Sequence, residues 1–149
     1  MQSIVAAGAG FLLAVLWMDL MFDVQVLRHA DGEVPETVLT SIAGYYRRVT
    51  TDSRPMNRLV AAAMLATLLA VVVQLIRDDT ARWVSATSAF LAVVPIGLAA
   101  ARTVPSAVRL GTRRDSVATQ SMLARSVCRD HLFCIGSIAT LLVIQLIWA

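Results

Sequence analysis

The distribution of charge constrains this chain most, because four long stretches of the sequence are apolar and contain few charged residues. The predicted spans cover about 4–24, 57–76, 83–101 and 127–148. Each is close to the ~20 residues that a helix needs to cross a ~30 Å hydrocarbon layer. We therefore predict an all-α membrane protein, built as a four-transmembrane-helix bundle.

Composition supports the same fold class and leaves little room for a separate soluble domain. The chain has 149 residues, of which 58% are hydrophobic and 15% are charged, and its mean hydropathy is +0.71. Soluble domains usually contain ~25% charged residues. We expect a single membrane domain over 1–149. The net charge of +3 does not indicate a nucleic-acid partner, since basic residues beside membrane spans are expected.

The arginines predict the orientation of the spans. The chain has 13 Arg and no Lys; 11 of them lie in or beside loops 25–56 and 102–126, and only Arg77 and Arg82 flank the short second loop. The positive-inside rule then places the first and third loops in the cytoplasm and both termini outside. We expect a multi-pass protein of the bacterial inner membrane, with Asp78 and Asp79 in an external turn.

The first and third loops are predicted to contain helix. Apolar residues recur at helical spacing over 34–49, which predicts an amphipathic helix that lies on the inner leaflet or packs under the bundle. The run from Thr112 to Asp115 resembles a capping box, and no Gly or Pro follows until Gly136. A fourth helix starting there would be about 50 Å long and extend into the cytoplasm.

Polar residues from all four spans are predicted to meet near the cytoplasmic ends of the helices. Asp19 and Asp23 lie one turn apart on the first helix and therefore face the same way. The ligand-binding candidates at this depth are Asp19, Asp23, Asn57, Arg58, Arg102, Arg129, Asp130 and His131. Tyr45 and Tyr46, on the amphipathic helix, are candidates for a lid or for anchors at the membrane interface.

This polar layer has two interpretations. In the first, arginines 58, 102 and 129 neutralise the three aspartates, and the ion pairs only orient the helices. In the second, the same groups form a pocket, because a charge embedded in a membrane span is costly and is usually functional. Adjacent side chains on a helix diverge by ~100°, so Asp130 and His131 do not form a metal site with one another. No metal ligand set is predicted, and the sequence leaves the cofactor unknown.

Three functions agree with this sequence. The leading hypothesis is a carboxylate–Arg–His pocket at the cytoplasmic leaflet that binds a small ligand, an ion or a lipid headgroup. One alternative is a small membrane-embedded enzyme acting on a lipid-soluble substrate. The other is an accessory subunit or scaffold of a membrane complex. The predicted partners are the lipid bilayer and a lipid or small-molecule ligand, with a homo-oligomer as a further option.

The predicted orientation can be tested by labelling single cysteines in intact cells. A cysteine near residue 79 should react with a membrane-impermeant maleimide added from outside. A cysteine near residue 113 should react only after the cells are opened, because the positive-inside rule places it in the cytoplasm. The reverse pattern would overturn the orientation.

Overall fold

The structure is a computed structural model that describes residues 2–29, 31–77 and 80–149, and the regular structure in these ranges is helical throughout. The six α-helices are α1 (Gln2–Asp23), α2 (Glu36–Arg47), α3 (Arg54–Arg77), α4 (Arg82–Leu98), α5 (Val104–Thr112) and α6 (Val117–Ile147). A 3-10 helix, Val24–Arg28, extends α1. Two π-helical segments, Arg48–Asp52 and Ala99–Thr103, precede α3 and α5.

Four helical stretches are long and apolar enough to cross a membrane, as the sequence predicted. They are Gln2–Arg28, Pro55–Arg77, Arg82–Thr112 and Val117–Ile147. The expected turn at Asp78 and Asp79 lies outside the described residues. The third stretch is longer than predicted, because the chain continues from α4 through a π-helical segment into α5. Pro105 does not interrupt it, since Pro is tolerated in the first turn of a helix.

The start of α6 differs from the predicted capping box. Thr112 is the last residue of α5, and Ser116 caps α6 by accepting a hydrogen bond from the backbone N–H of Thr119 at 3.3 Å. The Asp115 carboxylate instead accepts two hydrogen bonds from Arg109, at 2.8 and 2.7 Å. The predicted unbroken last helix is confirmed: α6 has 31 residues and is therefore about 46 Å long.

Four helices pack in a ring, in which α1 contacts α3 and α6, and α4 contacts the same two helices. One apolar core lies inside the ring, with Val5, Leu12, Val71, Ile96 and Leu141 among its buried side chains. At Gly8, α1 approaches α3 so closely that an added Cβ would lie 2.1 Å from the Thr67 hydroxyl oxygen. At one end of the bundle Gln2 donates a hydrogen bond to the Gln145 carbonyl, and we call this the terminal end.

The amphipathic helix of the first loop packs against the bundle. Its apolar face, which includes Leu39, Ile42 and Tyr46, is buried in a second core together with residues of α5 and α6. At Gly111 of α5, an added Cβ would lie 2.9 Å from the backbone nitrogen of Arg47. The backbones of α2 and α5 therefore touch, and we call this end of the molecule the α2 end.

The contact at Gly111 predicts the effect of adding one methyl group there. Gly111→Ala should destabilise the protein by about 1–3 kcal/mol, because the opposing atoms belong to a backbone that cannot rotate away. Gly44→Ala is the control: Gly44 is exposed on α2, and no atom lies within 4 Å of its added Cβ. That substitution should stabilise the helix by up to about 1 kcal/mol. Chemical unfolding in detergent, followed by circular dichroism, measures the unfolding free energy of each variant. Equal changes in the two variants would contradict the close contact at Gly111.

Candidate functional site

The two predicted aspartates of α1 lie in a cluster of hydrogen-bonded side chains at the α2 end of the bundle. Asp19 and Asp23 face inward from α1, Tyr45 and Tyr46 approach them from α2, and His131 approaches from α6. The helical repeat explains the α1 pair, since residues four apart lie on one face. The other three groups meet them only because α2 folds back onto the bundle.

Asp23 is fully buried and has two close hydrogen-bond partners. It accepts hydrogen bonds from the Tyr46 hydroxyl and from Nδ1 of His131, both at 2.7 Å. A carboxylate can only accept, so the proton between Asp23 and His131 is assigned to Nδ1. This hydrogen bond fixes the orientation of the imidazole ring and leaves its Nε2 atom available on the opposite side.

Asp19 is less buried than Asp23. It accepts a hydrogen bond from the Tyr45 hydroxyl at 2.7 Å, and its second oxygen is 3.8 Å from Nε2 of His131. The Tyr45 ring stacks on Phe22 with a centroid separation of 4.2 Å, which holds the hydroxyl in place. Burial and the two nearby carboxylates raise the pKa of both Tyr45 and Tyr46 well above the usual range, so both phenols remain donors.

The arginines expected to neutralise Asp19 and Asp23 lie elsewhere. Arg102 pairs with Asp130 at 3.3 Å, and Thr103 also donates to this carboxylate at 3.3 Å. Arg58 and Arg129 are exposed, and within the described residues neither forms an ion pair with any of the three aspartates. The single predicted layer is therefore two separate groups.

The division into two groups has a geometric cause. Asp130 and His131 are consecutive on α6, so their side chains point to different neighbours. Asp130 faces the segment that follows α4, while His131 faces α1. Asn57 does not reach either group: it is exposed and donates to the backbone carbonyl of Thr50 at 3.1 Å.

A cavity of about 400 Å³ opens beside Asp19 and His131. Its walls are mainly apolar side chains of α1, α3 and α4, among them Phe11, Val15, Met18, Val60, Met64 and Ile96. Its polar atoms come mainly from Asp19, Tyr45, Tyr46, Thr50, Asn57, Thr103, His131 and Cys134. A volume in this range and a largely apolar lining with a few polar groups are typical of small-molecule sites.

The residues of the cavity walls and two of its polar residues, Thr50 and Thr103, were not predicted from the sequence. Thr50 and Thr103 are each part of a π-helical segment, and both segments border the cavity. A pattern signal did exist on α1, where Leu12, Val15 and Asp19 recur at spacings of three and four residues. It assigns these residues to one face of the helix, but it does not distinguish a packed core from a cavity.

A second polar layer lies at the terminal end, away from the cavity. Gln145 donates to the Ser88 hydroxyl at 2.8 Å and so connects α6 to α4. Gln74 is also buried, and its side-chain amide has no hydrogen-bond partner in the described part of the chain. Neither glutamine lines the cavity.

Among residues 2–29, 31–77 and 80–149, no group of three His, Cys, Asp or Glu side chains is arranged to bind a metal ion. Cys128 and Cys134 are separate buried thiols. No family model, curated protein or solved structure matches this chain.

The two tyrosines should differ in their contribution to stability. Tyr46→Phe removes a donor from a fully buried carboxylate and should cost about 1.5–3 kcal/mol of unfolding free energy. Tyr45→Phe makes the same chemical change beside Asp19, whose side chain is 14% exposed and borders the cavity, so water can replace the lost donor. Its cost should be clearly smaller. Denaturant unfolding of the two variants compares them, and equal losses would contradict the difference in burial.

Proposed function

We propose that this chain is a multi-pass protein of the bacterial inner membrane that binds a small amphipathic molecule in the cavity between α1, α3 and α4. The apolar body of the ligand would lie among the side chains of these helices. Its polar head would lie at the α2 end, against Asp19 and His131. In this proposal Tyr45 and Tyr46 act as a lid that also holds the two acidic side chains.

One observation supports this proposal above all: the cavity is apolar along its walls and polar at one end. An acid and an imidazole at the end of an apolar cavity match a molecule with one polar end. A purely structural ion-pair network would need no adjoining space. The expected arginine partners of Asp19 and Asp23 are also absent from the cluster, which removes the main argument for a structural ion-pair role.

The proposed orientation puts the cavity near the cytoplasmic leaflet. Exposed arginines surround the α2 end, among them Arg28, Arg47, Arg48, Arg58 and Arg129. At the terminal end, the rings of Trp83 and Trp148 contact edge to face with centroids 6.0 Å apart. Most of the arginines at one end and two of the three tryptophans at the other fit the positive-inside rule and an aromatic belt at the outer interface.

A second candidate function is acid–base catalysis on a lipid-soluble substrate. The hydrogen bond from His131 Nδ1 to Asp23 favours it, because a histidine oriented in this way presents Nε2 as a proton acceptor. The cavity would place a substrate next to that nitrogen. The Asp23 carboxylate would stabilise the imidazolium formed when Nε2 takes up a proton.

Filling the cavity tests whether it is a binding site. Ala14 lines the cavity and is exposed, so Ala14→Phe should occupy part of the space without disturbing the core. Native mass spectrometry of the purified protein should show a small organic adduct on the wild type, and Ala14→Phe should lose it.

Ala7→Phe provides the matched control, since Ala7 is exposed on the same helix and does not line the cavity. This variant should retain the adduct. If Ala14→Phe and Ala7→Phe keep it equally, or if the wild type never contains one, the proposed binding function is wrong.

A further inference from the structure

The polar end of the cavity contains more acid than base. Asp19 and Asp23 share one imidazole, so at least one negative charge is uncompensated there even when His131 is protonated. Within the described residues no arginine lines the cavity. Arg102, one of the predicted partners, is paired with Asp130. Charge neutrality at this end therefore needs a proton or a cation from outside the described chain.

Most hydrogen-bond donors around the cavity are already engaged, and Asn57 donates one of its two amide N–H bonds to the Thr50 carbonyl. Every hydroxyl and thiol in its lining donates to an acceptor of the protein: Tyr45 to Asp19, Tyr46 to Asp23, Thr50 to the Tyr46 carbonyl, Thr103 to Asp130 and Cys134 to the Pro95 carbonyl. A ligand that needed to accept hydrogen bonds would find few donors here.

The acceptors, in contrast, are available. The second oxygen of Asp19 and Nε2 of His131 lie 3.8 Å apart, and neither forms a hydrogen bond to any described residue. His131 is only 7% exposed and lines the cavity. Since Nδ1 donates to Asp23, Nε2 of the neutral ring accepts. One group with two N–H bonds could donate to both atoms at once.

From this excess of acceptors and negative charge, we infer that the ligand is an organic cation, an ammonium group attached to an apolar body. The inference rests on the proposed binding function and specifies its ligand class. The ammonium would donate to Asp19 and His131 at the polar end, and its hydrocarbon would occupy the apolar part of the cavity. Such a head group belongs to free lipophilic amines and to membrane lipids with an amine headgroup.

Three probes with the same twelve-carbon chain test the charge preference: dodecylamine as the cation, dodecanol as the neutral molecule and dodecanoate as the anion. Equilibrium dialysis of the radiolabelled probes against protein in alkyl maltoside micelles, corrected with empty micelles, gives each dissociation constant. Dodecylamine should bind the wild type roughly tenfold or more tightly than dodecanol, because hydrogen bonds to charged groups are the strong ones. Dodecanoate should bind weakest.

Asp19→Asn keeps the shape of the side chain and its contact with Tyr45 but removes the charge. It should abolish the preference, so that dodecylamine binds this variant no more tightly than dodecanol does. Asp115→Asn is the matched control, since Asp115 pairs with Arg109 and is not part of the cavity lining. This control should leave all three dissociation constants unchanged. The wild-type series remains decisive if Asp19→Asn does not fold.

The outcomes of these experiments test the inferred ligand class and the proposed binding function separately. Equal binding of the three probes, abolished by Ala14→Phe, would overturn the cation inference and leave the proposed binding function intact. If no probe binds, the binding function fails as well. Displacement of dodecylamine by added phosphatidylethanolamine would support the inference with a lipid as the source, and displacement by free amines alone would support it with a soluble source.

Discussion

The hydrogen bond between Asp23 and His131 is the interaction on which the α2 end depends. A fully buried carboxylate is costly unless donors reach it, and the donors that reach Asp23 come from α2 and α6. Removing either partner would leave part of the charge unsatisfied. Asp23 therefore connects the first helix, the amphipathic helix and the last helix, and its hydrogen bond with His131 fixes the direction in which that ring faces the cavity.

Two π-helical segments lie beside the space next to this cluster. The segments Arg48–Asp52 and Ala99–Thr103 both border the cavity, and each contributes a threonine whose hydroxyl is satisfied within the protein. π-helical turns are uncommon in proteins and are frequently found at functional sites. α1 and α3 are in close contact at Gly8, nearer the terminal end. The cavity lies beside these helices between that contact and the α2 end.

The sequence identified part of the site, but it paired Asp19 and Asp23 with arginines that do not contact them in the structure. Asp19, Asp23 and His131 were expected to lie at one depth, and they do meet. The depth of a residue in a membrane span can be read from the sequence, but the direction of its side chain around the helix axis depends on which helix packs beside it. Arg58 and Arg129 are exposed, while Tyr45 and Tyr46 supply the hydrogen bonds instead.

By itself, the sequence determined the four apolar helices, the amphipathic α2 and the long α6, because these follow from hydropathy and periodicity over neighbouring residues. Only the tertiary structure decided that α2 packs against α5 and α6, that two carboxylates share one histidine and that a cavity opens beside them. Those features depend on contacts between residues far apart in the chain. A hydroxyl of α2 and an imidazole of α6 reach Asp23 only once the helices have packed.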